Sequence, residues 1–133
     1  MERQHLVEHV KAVYAAFATG DAEAYRKSFA EDVVWHVPGD NPVSGAYRGP
    51  VEYFETMPAR MGPLDRWSVA VTDVLTNQKD DAALVAFHLE GSRRGRTVDL
   101  DGFHMIRLDE AGRIVEGWGF TVDQDALDDF FSA

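Results

Sequence analysis

The first half of the chain carries apolar residues at helical spacing. One face of the segment 6–17 is apolar and is formed by Leu6, Val10, Val13 and Phe17. This period predicts an amphipathic helix. Residues 22–29 follow Asp21, whose side chain can cap a second, short helix. A third helix is predicted to begin at Pro50, with Val51, Phe54 and Met57 on one face.

The second half of the chain consists of alternating segments separated by turn residues. Strands are predicted over residues 67–75, 82–90, 97–108 and 113–122, after an earlier strand over 33–37, and a last helix over 123–131. Short connections predict an antiparallel meander. The sequence therefore predicts one α+β domain over residues 1–133. It is a cone-shaped roll with three N-terminal helices packed in a strongly curved, mostly antiparallel sheet.

The strand over 97–108 carries one polar side chain on its inner face. That face is formed by Val98, Leu100, Gly102, His104, Ile106 and Leu108. With an unperturbed pKa of about 6.5, the imidazole of His104 can act as a catalytic acid or base near neutral pH. The alternative is a structural histidine that is satisfied by a buried carbonyl or hydroxyl group.

Two further residues are candidates for a second acid or base. His36 lies on the strand over 33–37, opposite the face of Trp35 and Val37. The Trp35 face is the better cavity wall. Whether the His36 side chain points into the cavity or away from it stays open. Asp123 follows the last strand, where it can either cap the closing helix or serve as a catalytic carboxylate beside the cavity.

The predicted ligand pocket is formed by apolar faces and by glycines that open space above the sheet. Its predicted residues are Val13, Tyr14, Phe17, Trp35, Val37, Phe54, Met57, Phe87, Leu89, Gly117 and Gly119. The opposite face of the sheet carries an apolar patch suited to a twofold homodimer, formed by Phe103, Met105, Trp118 and Phe120.

Composition excludes several classes of partner. Asp and Glu number 23 against 13 Lys and Arg, and the net charge of -10 disfavours nucleic acid and anionic membrane surfaces. The sequence has no cysteine, which excludes disulfides and thiolate metal sites and suggests a cytoplasmic protein. We expect no membrane span, no metal and no cofactor. The string His5-Leu6-Val7-Glu8-His9 has metal-ligand spacing but no identifiable third ligand.

Four segments of the chain resemble a known family. They are FAEDVVWHVPG over 29–39, SGAYRG over 44–49, GFHMIRL over 102–108 and GRIVEGW over 112–118. They resemble the SnoaL-like branch of the nuclear transport factor 2-like superfamily, which includes ketosteroid isomerases. The resemblance covers nearly the whole chain. It implies the cone fold, which serves isomerases, polyketide cyclases, dehydratases, epoxide hydrolases and binding proteins.

The resemblance also implies roles for individual residues. His104 falls where ketosteroid isomerases have a protonated oxyanion-hole acid, whereas Val37 and Val13 replace their aspartate and tyrosine. These departures argue against steroid isomerisation. Asp123 is the nearest match to the acid/base aspartate of SnoaL-like cyclases. His36 with His104 could imitate the histidines of scytalone-dehydratase-like members if His36 turned inward.

The leading hypothesis is a cofactor-free enzyme that moves protons on a small, largely apolar or polycyclic carbonyl compound, as an isomerase, cyclase or dehydratase. One alternative is a non-catalytic ligand-binding or dimerisation module that uses the same pocket. Another is a subunit that docks to a larger partner through the outer sheet face.

Overall fold

A computed structural model of the protein describes residues 2–132. Its helices are α1 (Arg3–Thr19), α2 (Ala22–Lys27), α3 and α4 (Gln124–Phe131), where α3 comprises the consecutive segments Gly49–Val51, Glu52–Thr56 and Met57–Met61. Its strands are β1 (Phe29–Val37), β2 (Gly45–Arg48), β3 (Arg66–Thr76), β4 (Ala82–Arg93), β5 (Arg96–Leu108) and β6 (Ile114–Thr121). None of the described helices is both long and apolar enough to cross a membrane.

The six strands form one curved, unclosed sheet in the order β2-β1-β6-β5-β4-β3. Only the β1–β6 pairing is parallel within the described chain, and every other neighbouring pair is antiparallel. The helices pack against this sheet, so the predicted α+β cone is confirmed. Burial alternates along β4 and β5 as predicted, with Val85 and Ile106 fully buried on the inner face.

Strand β2 is absent from the sequence-based prediction, which treated residues 40–49 as a loop. Its four residues pair with the end of β1, where Tyr47 lies opposite Trp35. Tyr47 is only 1% exposed. A short edge strand between turn residues has no period of its own, so its pairing with β1 decides its conformation.

Two local irregularities move side chains away from the faces that simple periodicity predicts. A register shift after Arg107 turns Ile114 into the core, although alternation counted back from the predicted cavity residue Gly117 places Val115 inside and Ile114 outside. In α3, the segment Glu52–Thr56 is π-helical and precedes Pro58, which has no backbone N–H to donate. In this segment Tyr53 is buried, whereas Val51, predicted to share a face with Phe54 and Met57, is 65% exposed.

Candidate functional site

A cavity of about 490 Å³ lies between the helices and the concave face of the sheet. Nine of the predicted pocket residues line it, namely Tyr14, Phe17, Trp35, Val37, Phe54, Met57, Phe87, Leu89 and Gly119. Among residues 2–132, no Asp, Glu, Lys or Arg side chain lines this cavity. Its volume lies in the range of small-molecule sites, and its wall suits an uncharged, largely apolar ligand.

His104 and Tyr14 form a hydrogen-bonded couple in the wall of the cavity. Strand β5 carries His104 and helix α1 carries Tyr14, and the Tyr14 hydroxyl lies 2.6 Å from Nδ1 of His104. The rings of Trp35 and Phe87 pack against the imidazole, with centroids 4.9 Å and 4.6 Å away. Nε2 of His104 has no hydrogen-bond partner within residues 2–132.

The couple offers hydrogen-bonding capacity to a ligand in either tautomer of His104. If the Tyr14 hydroxyl donates to Nδ1, then Nε2–H remains as a donor. If Nδ1–H donates to Tyr14, the tyrosine keeps a free O–H proton and Nε2 is an acceptor. In both states one donor of the couple stays available for an oxygen in the cavity.

Burial keeps both members of the couple uncharged at neutral pH. Removal from water lowers the pKa of His104 from 6.5 to about 3, because the imidazolium loses its hydration. The partial exposure of His104 is to the cavity that it lines. Burial, and secondarily the neighbouring Tyr25, raises the pKa of Tyr14 well above its usual 10. A neutral imidazole is a weak base, but it can polarise a carbonyl through its N–H.

A second polar pair lines the same cavity and was missed by the sequence analysis. The hydroxyls of Tyr25 and Tyr53 lie 2.7 Å apart. Burial raises the pKa of Tyr25 to about 12 and that of Tyr53 well above its usual value. The signal for Tyr53 was present in the sequence, because Tyr53 stands four residues before Met57 and shares its helix face at α-helical spacing.

Two predicted pocket residues do not line the cavity. Val13 lies in the core and is 4% exposed. The resemblance to ketosteroid isomerases implies a tyrosine at position 13, which is valine in this chain. The neighbouring residue, Tyr14, carries the hydroxyl that contacts His104. Gly117 is covered by Trp35, because a Cβ at this position would lie 2.1 Å from the indole ring. The glycine therefore makes room for Trp35 rather than for a ligand.

His36 faces away from His104 and does not line the cavity, whereas a role as a second catalytic histidine would require it to turn inward. Its Nε2 lies 2.7 Å from a carboxylate oxygen of Glu116, and its ring stacks on Trp118 at 5.4 Å. The hydrogen bond from His36 is the main cause that lowers the pKa of Glu116. Alternation along β1 explains the direction, because Trp35 takes the inner face.

Asp123 is exposed and does not line the cavity, so the structure does not bring its carboxylate together with His104. Its carboxylate accepts a hydrogen bond from the backbone N–H of Ala126 at 3.1 Å and caps α4. Capping was the structural alternative for this residue, and it places the carboxylate at the helix terminus.

Candidate metal ligands meet only on the outer face among the described residues. The ligand atoms of His88, Glu90 and Asp99 lie within 4.8 Å of one another. His88 already pairs there with Asp99 at 2.7 Å and Asp101 at 2.9 Å, and its hydrogen bond with Asp101 is the first cause that raises its pKa. The His5-to-His9 string forms no such group, since Nε2 of His9 lies 2.7 Å from the Gly112 carbonyl oxygen.

Comparison with known proteins gives the same fold. The chain is 29% identical to an uncharacterised protein of Mycobacterium tuberculosis over 124 residues, which are 92% of this chain and 93% of that protein. Bal32a, from a soil-derived mobile gene cassette, superposes with a TM-score of 0.83 at 24% identity, over 93% of this chain and 94% of its own.

A protein of Burkholderia xenovorans LB400 described as NTF2-like superposes with a TM-score of 0.81 at 22% identity, and the match covers 99% of each chain. The SnoaL-like domain model matches residues 10–117 and so contains most of the sheet and both members of the His104–Tyr14 couple. The chain belongs to the SnoaL-like domain family.

Proposed function

We propose that the cavity binds a small, uncharged, largely apolar carbonyl compound and that the His104–Tyr14 couple promotes proton transfer on it without a cofactor. The proposal is supported above all by the neutral imidazole of His104, whose Nε2 has no hydrogen-bond partner within the described chain. This imidazole lies in a cavity wall to which the described residues contribute no charged side chain. Isomerisation, cyclisation and dehydration all develop negative charge on such an oxygen, so all three remain within the proposal.

In the proposed mechanism His104 acts on the oxygen of the substrate. When a proton leaves the carbon next to the carbonyl, electron density moves to the carbonyl oxygen, and Nε2–H of His104 donates a hydrogen bond to it. Tyr14 holds the ring through Nδ1. No carboxylate or amine among residues 2–132 lines the cavity, so the departing proton goes to solvent or to another group of the substrate. Substrates with an acidified C–H therefore fit best.

Hydrogen–deuterium exchange on 2-tetralone tests this proposal. In D₂O followed by NMR, we expect the protein to accelerate exchange next to the carbonyl, and His104→Leu to remove about a hundredfold or more of that acceleration. Asp123→Ala is the matched control, since it should keep the exchange rate while it lowers the free energy of unfolding by about 1 kcal/mol. An unchanged rate in His104→Leu would contradict the catalytic role.

A ligand-binding protein without turnover is the second candidate. It is favoured by the pKa of His104 of about 3, which leaves the couple without a group that titrates near neutral pH. In that case the unsubstituted protein exchanges 2-tetralone no faster than buffer does, and His104→Leu changes only the affinity. The cysteine-free sequence supports a cytoplasmic location for either function.

We also propose that the outer-sheet patch, formed by Phe103, Met105, Trp118 and Phe120, pairs two copies of the chain. The rings of Phe103 and Phe120 stack at 5.2 Å, and Met105 and Phe120 are 38% and 46% exposed. Light scattering of the unsubstituted protein should give twice the chain mass of 14.9 kDa. For Met105→Glu it should give the mass of one chain. Val51→Glu, at an exposed apolar residue on α3 and not on the outer sheet face, should stay dimeric. A monomeric unsubstituted protein would instead favour docking to a different partner.

A further inference from the structure

We propose that the Tyr25–Tyr53 pair is a second binding point in the cavity, which takes a second acceptor oxygen of the ligand. This inference rests on the proposed function, because it assumes that the first oxygen is held by the His104–Tyr14 couple. The cavity would then select uncharged aromatic compounds with two separated carbonyl or ether oxygens over analogues with one.

The number of hydroxyl protons in the Tyr25–Tyr53 pair supports its role as a second binding point. Two tyrosines carry two O–H protons, and the bond between their oxygens uses one. The other proton has no acceptor among residues 2–132, where the paired hydroxyl is the only partner of each oxygen. A buried donor without an acceptor is costly, and an oxygen in the cavity would remove that cost. The bond within the pair also polarises the remaining O–H and makes it a better donor.

The position of the pair suits a rigid ligand that reaches both points. Tyr25 and Tyr53 line the cavity together with His104. The ring of Trp35 packs against one residue of each pair, with its centroid 4.9 Å from His104 and 5.4 Å from Tyr53. An aromatic ligand beside Trp35 would therefore lie near both hydrogen-bonding pairs.

The electrostatics of the pair define the kind of oxygen that it accepts. Burial keeps both tyrosines protonated far above neutral pH, so the pair acts as a donor throughout the physiological range. The rings of Phe29 and Phe54 pack against Tyr25 at 5.1 Å and 5.7 Å, which keeps the surroundings apolar. Since no cationic side chain of the described chain lines the cavity, a carboxylate or phosphate would be buried without a counter-charge.

Two size-matched probes test the inference. 1,4-Diacetylbenzene has two carbonyls, and in 4-isopropylacetophenone a CH(CH₃) group replaces one of them. NMR titration of the ¹⁵N-labelled protein gives both affinities. We expect Tyr25→Phe/Tyr53→Phe to weaken the diketone about five- to tenfold, the value of one hydrogen bond, and to change the monoketone less than about twofold.

The double variant is the clean test, because a single substitution leaves one hydroxyl with a free proton. Replacing both partners by groups of the same shape is also nearly neutral for stability. Tyr47→Phe is the matched control. Tyr47 is buried, donates to the Val43 carbonyl and does not line the cavity, so both affinities should stay unchanged.

A measurement on the unsubstituted protein covers the case in which the double variant fails to fold. With ¹³C-labelled carbonyls, the bound-state downfield shift per carbonyl of the diketone should equal that of the monoketone if both carbonyls accept hydrogen bonds. A shift of half that size would show that only one carbonyl is bonded, and it would overturn the inference.

The outcomes separate this inference from the proposed function. If the double variant keeps the preference for the diketone, another donor holds the second oxygen, such as the indole of Trp35, and the inference is wrong. If His104→Leu weakens both probes equally, the first binding point stands whatever the tyrosine result. If neither probe binds the unsubstituted protein, or if His104→Leu changes neither affinity, the proposed function fails and the inference fails with it.

Discussion

Between pH 6.5 and pH 3 the unsubstituted protein is expected to lose folding free energy that the His104→Leu variant does not lose. In the unfolded chain His104 takes up a proton near pH 6.5, whereas in the fold its pKa is about 3. The unfolded state therefore binds more protons in this window, and stability falls as the pH falls. The full shift corresponds to roughly 4 kcal/mol between the ends of the window.

Chemical denaturation at pH 7 and at pH 4 measures the effect as the difference between the two proteins. The lowered pKa values of Asp109, Glu116 and Asp128 also cost stability as the pH falls through them, but both proteins share this loss. The variant leaves the Tyr14 hydroxyl without its partner. The resulting change in the free energy of unfolding does not depend on pH between pH 7 and pH 4, because the pKa of Tyr14 lies well above 10. Parallel stability curves would show that His104 becomes charged within the fold.

The second large effect is expected from a single methyl group at Gly117. In Gly117→Ala the new Cβ would lie 2.1 Å from a ring carbon of Trp35, a distance that requires a shift of the indole. Trp35 is 6% exposed and packs edge-on against His104 and Tyr53, so it cannot move without disturbing the cavity wall. We expect a loss of about 2–3 kcal/mol in the free energy of unfolding, as for overpacked cores.

Gly119→Ala is the matched control, two residues further along the same strand. Its Cβ would meet Pro38 at 3.3 Å and His104 at 3.8 Å, which are contacts that small adjustments can accommodate. Neither glycine has a positive φ, so the comparison measures crowding and not backbone strain. Thermal or chemical unfolding of the two variants gives the result. Equal losses of unfolding free energy in the two variants would show that the packing of Trp35 does not require a glycine at position 117.

Period-2 alternation determined the side of the sheet on which the candidate site lies. It correctly placed His104, Phe87 and Trp35 on the inner face, and the neighbour of Phe87, His88, accordingly lies on the outer face. Alternation succeeds on these strands because adjacent residues in an extended chain point to opposite faces, whatever the neighbouring strands are. For the same reason it failed where the count is interrupted, at the register shift that turns Ile114 inward.

The π-helical segment of α3 shows a second limit of local patterns. Helical spacing predicted that Val51 shares a face with Phe54 and Met57, yet Val51 is exposed while Phe54 and Met57 line the cavity. The π-helical hydrogen bonds rotate the residues that follow around the helix axis by less than one turn. The sequence around Pro58 does not indicate at which residue this rotation begins.

The sequence by itself determined the family, the order of most helices and strands, and the inward direction of His104. Only the tertiary structure decided which groups meet His104 and which carboxylates are remote from it. Tyr14 and His104 are 90 residues apart, and Tyr25 and Tyr53 are 28 apart. Backbone geometry fixes local periodicity at every position. A hydrogen bond between distant side chains depends on how α1, α2 and α3 pack into the curved sheet, which no local pattern encodes.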